Sequence, residues 1–379
     1  MKKILITGGA GFIGSNLSRR LVESGYHVII LDTLSPQIHG VDPQTSSPIF
    51  MSLPKEVTFV KGDVTSREDL EKVIIELKSD AIVHYAAETG TGQSMYEIEK
   101  YNHVNIGGTA LMLDILTNKK HQVKKVIVAS SRSIYGEGKY HSKQYGIVYP
   151  STRVEKDMNE GYFEPTFLGN RDLELLATDE ESKIHPSSVY GITKQVQEQL
   201  VMTVCPTINI APVALRYQNV YGPGQSLSNP YTGILSIFSN RILSGNSINI
   251  FEDGNESRDF VYIDDVVDAT FKALESDKAN GKIYNVGTGL AINVLEVVKQ
   301  LMKSYKKEVP FEVTGNYRLG DIRHNYADIS KIQNDLDFHP SVNFDKGIAN
   351  FASWVQKQFI PEDKYEQSIM EMKAKGLLK

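Results

Sequence analysis

The 379-residue chain has a single cysteine, Cys205. One thiol excludes an intrachain disulfide and leaves too few sulfur ligands for a cysteine-based zinc site; no metal site is expected, and the pattern suits a reducing compartment. Surplus positive charge is missing too. The chain carries 41 Lys and Arg against 46 Asp and Glu, a formal net charge of −5. Neutralising a phosphate backbone needs a basic face, so general nucleic-acid binding is excluded. No apolar run approaches the roughly 20 residues needed to span a bilayer. After "MKK" the apolar "ILIT" meets glycines too early to be a signal-peptide core. The expectation is a soluble, cytoplasmic protein without membrane or nucleic-acid partners, long enough for two domains.

What the chain does have is alternation. "KKILITGG", "YHVIILD", "VTFVKGDV", "AIVHYAA", "KVIVASS" and "APVALRYQNV" are short apolar runs. Helix-period segments such as "FIGSNLSRRLVESG", "REDLEKVIIELK" and "NIGGTALMLDIL" lie between most of them. This order predicts an α/β fold, a Rossmann-type doubly wound parallel sheet with a smaller mixed α/β substrate-binding domain. The first domain is expected over residues 1–218 and 257–277, and the second over 219–256 and 278–355. Residues 137–187 show no clear periodicity and read as an insertion, a lid or pocket wall. Residues 356–379 read as a charged, helical tail. In "SSVYGITKQVQEQL" the spacing puts Val189, Ile192, Val196 and Leu200 on one apolar stripe.

"TGGAGFIG" holds Gly8, Gly11 and Gly14 between a strand and a helix opened by Phe12 and Ile13. The first glycines permit a tight turn and close approach of a pyrophosphate to backbone N–H groups; Gly14 lets helix and strand pack. Asp32 follows 18 residues after Gly14, at the end of the next strand. It suits a ribose with free hydroxyls and would repel a 2′-phosphate, and "DTLSPQIHG" offers no Lys or Arg to bind one. The cofactor expected is NAD. Asp63, at a third strand end, reads equally well as an adenine contact or a solvated loop carboxylate.

Tyr-x-x-x-Lys places both side chains on one helical face. With 19 tyrosines and 30 lysines, chance supplies about 1.5 such pairs. Three are present: Tyr96/Lys100, Tyr135/Lys139 and Tyr190/Lys194. The second spans the glycines of "YGEGK"; the third opens a patterned helix after the serine-rich strand end "VASSRSIYG". A tyrosine acting as base near neutral pH needs its pKa lowered by roughly 3 units, and a lysine one turn away favours the phenolate. Tyr190 and Lys194 are therefore the catalytic candidates.

Together, "TGGAGFIG", "HYAAETGTGQS", "NIGGTALML", "VASSRSIYG", "YGITK", "LRYQNVYGPGQ", "FEDGNESRDFVYIDD", "YNVGTG" and "RLGDIRHNYAD" resemble the extended short-chain dehydrogenase/reductases that act on nucleotide sugars. Within that group, "LSPQIHG", "NPYTGILSIFSNRIL" and "GDIRHNYAD" look most like dTDP-L-rhamnose 4-epimerase-type and UDP-glucose 4-epimerase-type enzymes. The resemblance implies that Ser131, four residues before Tyr135, relays the proton between the sugar and Tyr190. Ser130 and Ser133 are its rivals. It assigns further cofactor contacts to Val64, Ala86, Ala87, Asn105 and Tyr217. It assigns substrate contacts to Asn219, Asn229, Arg258, Arg318 and Asp321, the arginines gripping a diphosphate and Asp321 the nucleotide ribose. Thr89, Thr91 and Ser94 would face the hexose, and Asn325 would stand where the family gates sugar size. Read without the family, each arginine is as readily a surface or interdomain ion pair.

Sugar-nucleotide dehydratases of this superfamily carry Thr-Asp-Glu where this chain has Ser131-Arg132-Ser133. Without an acid beside the serine, elimination of water is disfavoured. The implied activity is an NAD-dependent 4-epimerase acting on a nucleotide-diphosphate sugar, an isomerase of carbohydrate metabolism and polysaccharide biosynthesis. A dehydrogenase/reductase on the same scaffold is the alternative, and a catalytically silent NAD-binding protein a distant third. By analogy, helices at 101–118 and 188–204 would form a homodimer.

Overall fold

The computed structural model describes residues 2–227, 229, 233–358 and 365–379. Seven parallel strands form the main sheet: β1 (Lys3–Thr7), β2 (His27–Asp32), β3 (Thr58–Lys61), β4 (Ala81–His84), β5 (Lys125–Ser131), β6 (Ala211–Tyr217) and β7 (Lys282–Val286). Their spatial order is β3-β2-β1-β4-β5-β6-β7. The strands are apolar almost throughout because both faces are covered. Ile4, Ile6, Ile30, Val83, Ile127 and Leu215 pack in one core, and Leu5, Ile29, Ile82, Val126 and Ala214 in a second. The chain leaves β1 toward β2 and β3, then returns to build β4 on the other side. Such a reversal opens a crevice at the carboxyl ends of β1 and β4, where ligands of these sheets bind.

Two helices carry the site. α1 (Phe12–Glu23) starts from Gly11 with no side-chain cap and stops at Gly25, whose φ of +82° suits glycine. α2 (Val189–Thr207) starts at Ser188, whose Oγ accepts from the Gly191 N–H at 3.1 Å. The predicted apolar stripe of α2 is not its buried face. Ile192 is exposed and Val189, Val196 and Leu200 are half-buried, whereas Gly191, Thr193, Lys194, Gln197, Glu198, Val201 and Cys205 are buried. Polar side chains can turn inward here because each of Lys194, Gln197 and Glu198 finds a buried partner.

Three boundaries differ from the sequence reading. Lys282–Val286, expected in the smaller domain, is the edge strand of the large sheet, in register with β6. Residues 137–187 are not irregular throughout: Lys139–Ser142 pairs antiparallel with Gly146–Val148 and Leu173–Leu176. Ion pairs built on two buried arginines anchor this segment. Arg153 holds Glu137 and Glu252 at 3.1 and 2.7 Å, and Arg323 holds Glu252, Asp253 and Glu164. The tail is more than a charged helix. Its segment Tyr365–Ala374 buries Tyr365, Ile369 and Met372, and Tyr317 exchanges backbone hydrogen bonds with Lys379.

One buried cluster fixes α2 against the sheet. Arg216 on β6 grips Glu198 through Nε and Nη2, at 3.0 and 2.6 Å, and donates from Nη1 to the Tyr135 hydroxyl at 2.7 Å. Tyr135 in turn donates to Asn285 on β7. Removing the cation would leave a buried, uncompensated carboxylate. Arg216→Met is expected to cost about 3–5 kcal/mol in urea unfolding, and a loss under 1 kcal/mol would contradict this account.

Candidate active site

The glycine turn brings the ends of β1 and β4 together. Gly8 has φ +68°, and a Cβ there would sit 2.7 Å from the Ala86 nitrogen. At Gly14 a Cβ would lie 2.6 Å from the Gly9 Cα. Gly11 is different: a Cβ would meet the Gly8 oxygen at 3.3 Å and nothing else within 4 Å. The space above it is open, and the first N–H groups of α1 face it without a cap, which fits a pyrophosphate. Asp32 ends β2 and accepts from the Ala10 and Leu34 N–H groups at 3.0 and 2.9 Å. Burial raises its pKa while those N–H groups and His39 oppose the shift.

Ser131 and Tyr190 are neighbours. The Ser131 hydroxyl lowers the Tyr190 pKa, and Ser133 donates to Ser131 from both Oγ (2.8 Å) and its backbone N–H (3.2 Å). Ser131 is thus the serine at the tyrosine, Ser133 braces it, and Ser130 Oγ is buried without a partner. Burial raises the Tyr190 pKa on balance, while the Ser131 hydroxyl and the Arg132 charge oppose the shift. Lys194, expected to lower it, points elsewhere: Nζ donates to Gln197 Oε1 at 2.8 Å. Burial pulls the Lys194 pKa down to about 7, with Glu198 opposing.

Gln197 belongs to a chain that sequence reading missed. Its Nε2 donates to Thr109 Oγ1 (2.8 Å), Thr109 donates to the Asn105 carbonyl, and His84 Nε2 lies 2.9 Å from the same Thr109 oxygen. Because the Thr109 proton is committed, His84 donates from Nε2 and accepts at Nδ1 from Thr7 Oγ1, 2.7 Å away. Burial and the Lys194 charge push the His84 pKa down to about 3, so the ring stays neutral. The histidine of "HYAA" was the available signal, but its partners lie on three separate elements.

The diphosphate candidates also converge. Asp321 takes Arg258 on Oδ1 (3.2 Å) and Arg318 on Oδ2 (2.8 Å). Burial works against the ionised form, yet Arg318, Arg258, Arg153 and Arg132 hold its pKa far below the usual range. Asn325 pairs in register with Arg258, with both amide atoms buried and unpartnered, and Asn219 Oδ1 is likewise buried and unpartnered. Thr91 lies across a narrow cleft from Arg318 and Asp321. Asn229 is buried, with Gln37 Nε2 3.4 Å from its Oδ1.

Several expected ligand contacts have other duties. The Ser94 hydroxyl donates to the Thr91 carbonyl and accepts from the Tyr190 N–H at 3.0 Å; it seats α2 and has no proton left for a sugar. Thr89 offers its carbonyl to Tyr101. The Asn105 amide is taken up by Glu88 and Thr193. Tyr217 points its hydroxyl to Thr270 and Tyr85, inside the core, which leaves its backbone for a cofactor. Asp63 Oδ1 accepts from the Thr65 N–H and hydroxyl, while Val64 packs on Gly108. Ala87 follows Ala86 at the crevice.

Comparison with known proteins places this geometry. A family model described as the NAD dependent epimerase/dehydratase family matches residues 4–153 and 170–287. The chain belongs to that family. A dTDP-L-rhamnose 4-epimerase of Burkholderia thailandensis is 35% identical over 94% of this chain and 96% of its own. The crystal structure of a Bacillus cereus UDP-glucuronic acid 4-epimerase with UDP-glucuronic acid and NAD superposes with a TM-score of 0.75 at 27% identity, covering 94% of this chain and all of that one. A Thermotoga maritima UDP-glucose 4-epimerase with UDP-glucose gives 0.74 at 29%, over 94% and 99%. Other epimerase/dehydratase relatives run different chemistry: a UDP-N-acetyl-alpha-D-glucosaminuronate decarboxylase of Bacillus cytotoxicus is 29% identical over 94% of this chain and 98% of its own. NAD is the family's cofactor, and the glycine turn, uncapped α1 and Asp32 fit it. Of residues 137–187, the stretch 154–169 lies outside the family match.

The lowered Lys194 pKa makes a prediction with a definite sign. Between about pH 7 and the ordinary lysine value near 10.4, the unfolded chain binds this proton and the folded chain does not. This lysine therefore makes stability rise with pH across that window. Lys194→Met is expected to flatten the rise in urea midpoints; an unchanged slope would place the effect elsewhere.

Proposed function

We propose that the chain is an NAD-dependent nucleotide-diphosphate-sugar 4-epimerase that removes hydride from C4 and returns it to the opposite face. The placement of the Ser131 hydroxyl at Tyr190, with Arg132-Ser133 following instead of acids, carries the reading. Ser131 bridges the C4 hydroxyl and Tyr190, and Tyr190 holds the proton while the sugar is a ketone. NAD, when bound, supplies the hydride acceptor and donor. Arg258 and Arg318 grip the diphosphate, whose oxygens suit their planar donors. A firm grip there lets the hexose turn over between the two hydride transfers.

Elimination would need a carboxylic acid beside the relay. Three buried or half-buried carboxylates of this region are otherwise engaged. Asp259 accepts from Thr288, Gly289 and Ala327, Asp321 from both arginines, and Glu137 from Arg153 and the Arg323 N–H. This favours simple epimerisation. A homodimer through the outer face of α2 accords with its exposed Ile192 and half-buried Leu200.

The test is to incubate the protein with a panel of nucleotide sugars in heavy water and follow products by NMR. A C4 epimer without solvent deuterium is expected; a dehydrated product, deuterium beside the carbonyl, or net NADH would refute the assignment. Tyr190→Phe should lower turnover by about 10²–10⁴-fold while NAD still binds, and near-normal turnover would show the wrong base had been chosen.

A further inference from the structure

Gln197 takes no part in the proton relay just described, yet it holds the lysine of the pair. The side chains of His84, Thr109, Lys194 and Gln197 are almost wholly out of water. Thr109, on the helix Gly108–Asn118, lies 2.6 Å from the Asn105 carbonyl, which can only accept, so Thr109 gives its proton there. Its oxygen is left to accept, and it does so twice: from His84 Nε2 at 2.9 Å and from Gln197 Nε2 at 2.8 Å. Those two nitrogens lie 3.4 Å apart, as donors sharing one acceptor do. His84 is held in this tautomer from behind, its Nδ1 accepting from the Thr7 hydroxyl 2.7 Å away.

The saturated Thr109 oxygen fixes which way the Gln197 amide points. Turned over, the amide would set its carbonyl against an oxygen with no proton to give, leaving a buried acceptor unsatisfied. The carbonyl therefore faces Lys194, whose Nζ donates to it at 2.8 Å. Among the described residues this is the hydrogen bond that directs the lysine, and a charged lysine keeps two further donors unspent. The other titratable groups beside it offer no competing acceptor. Glu198 is taken on both oxygens by Arg216, and the neutral His84 is committed at both ring nitrogens. The chain from Lys194 ends at Thr7, the residue before the Gly8 turn, and so ties the lysine to the dinucleotide crevice.

We propose that Gln197 is a positioning residue for Lys194: its amide, locked by Thr109 and His84, takes one ammonium proton and leaves the other two for the dinucleotide crevice. The inference rests on the reading of Tyr190 and Lys194 as the catalytic pair. It gives the buried polar face of α2 a purpose, since an apolar side chain at position 197 would fill the same space without an acceptor. Anchored at its tip, the lysine loses the freedom of a flexible stem before any cofactor arrives.

The experiment is an NMR titration of the protein labelled with ¹³C at lysine Cε, with Lys194→Met identifying the resonance, beside calorimetric titration with NAD. An acceptor on the ammonium favours its charged form. Gln197→Met keeps the length and removes the acceptor. It is expected to lower the Lys194 midpoint from about 7 by about one pH unit and to weaken NAD binding about tenfold. Gln197→Glu restores an acceptor and is expected to bring NAD affinity back to within about threefold, with the Lys194 midpoint raised. Thr109→Val frees the amide to turn and should reproduce part of both losses. Added to Gln197→Met it should weaken NAD less than about twofold further, because both act through one contact. A cooperative urea transition certifies each variant as folded. An unmoved Lys194 midpoint in folded Gln197→Met overturns the proposal, and if that variant does not fold, an unmoved midpoint in Thr109→Val does so. Equal loss of NAD affinity in Gln197→Glu, or additive losses in the double variant, overturns it too, by making Gln197 a packing residue. Each of these results leaves the epimerase reading intact; that reading fails separately, if Tyr190→Phe keeps its turnover.

Discussion

Arg216 and Glu198 meet in a two-pronged ion pair with both side chains almost wholly out of water, and the geometry of the site hangs on it. The pair joins β6 to α2, while the third donor of Arg216 reaches the tyrosine of the turn that follows Ser131. Helix and strand end are thereby held in one register, and Ser131 and Tyr190 with them. Isolated burial of either charge would be prohibitive; bidentate geometry and the Tyr135–Asn285 link make it tolerable.

The same logic of internal pairing recurs around the cleft. Asp321 balances two arginines, and Arg153 and Arg323 share Glu252. The segment 137–187 is bound to Glu252 and Arg323 through these contacts. On the proposed function, a clamp whose positive charges are already partly neutralised has its donors aligned for the diphosphate that would replace Asp321 as their partner.

Much of the site was legible because its signals are local. A glycine that must adopt positive φ, a helix beginning without a cap, and an acid at the next strand end are consequences of nearby residues, and Gly8, α1 and Asp32 behave accordingly. Tyr190 and Lys194 share a helix, so their spacing is informative. The direction of Lys194 was not, because it depends on Gln197, Thr109 and His84. The apolar stripe of α2 misled for a related reason: periodicity identifies an amphipathic helix, but not whether its polar face has been given buried partners. Ser94, Asn105 and Tyr217 lie where a ligand was expected and spend their hydrogen bonds on protein.

By itself the sequence determined the alternating α/β order, the dinucleotide turn, the preference for NAD and the absence of acids after Ser131, since each follows from short-range chemistry. Tertiary structure decided which serine lies at Tyr190, that Lys194 turns to Gln197, that Lys282–Val286 completes the large sheet, and that Arg258 and Arg318 converge on Asp321. Those outcomes depend on groups distant in the chain competing for the same buried partner, and such a contest is resolved when the core closes.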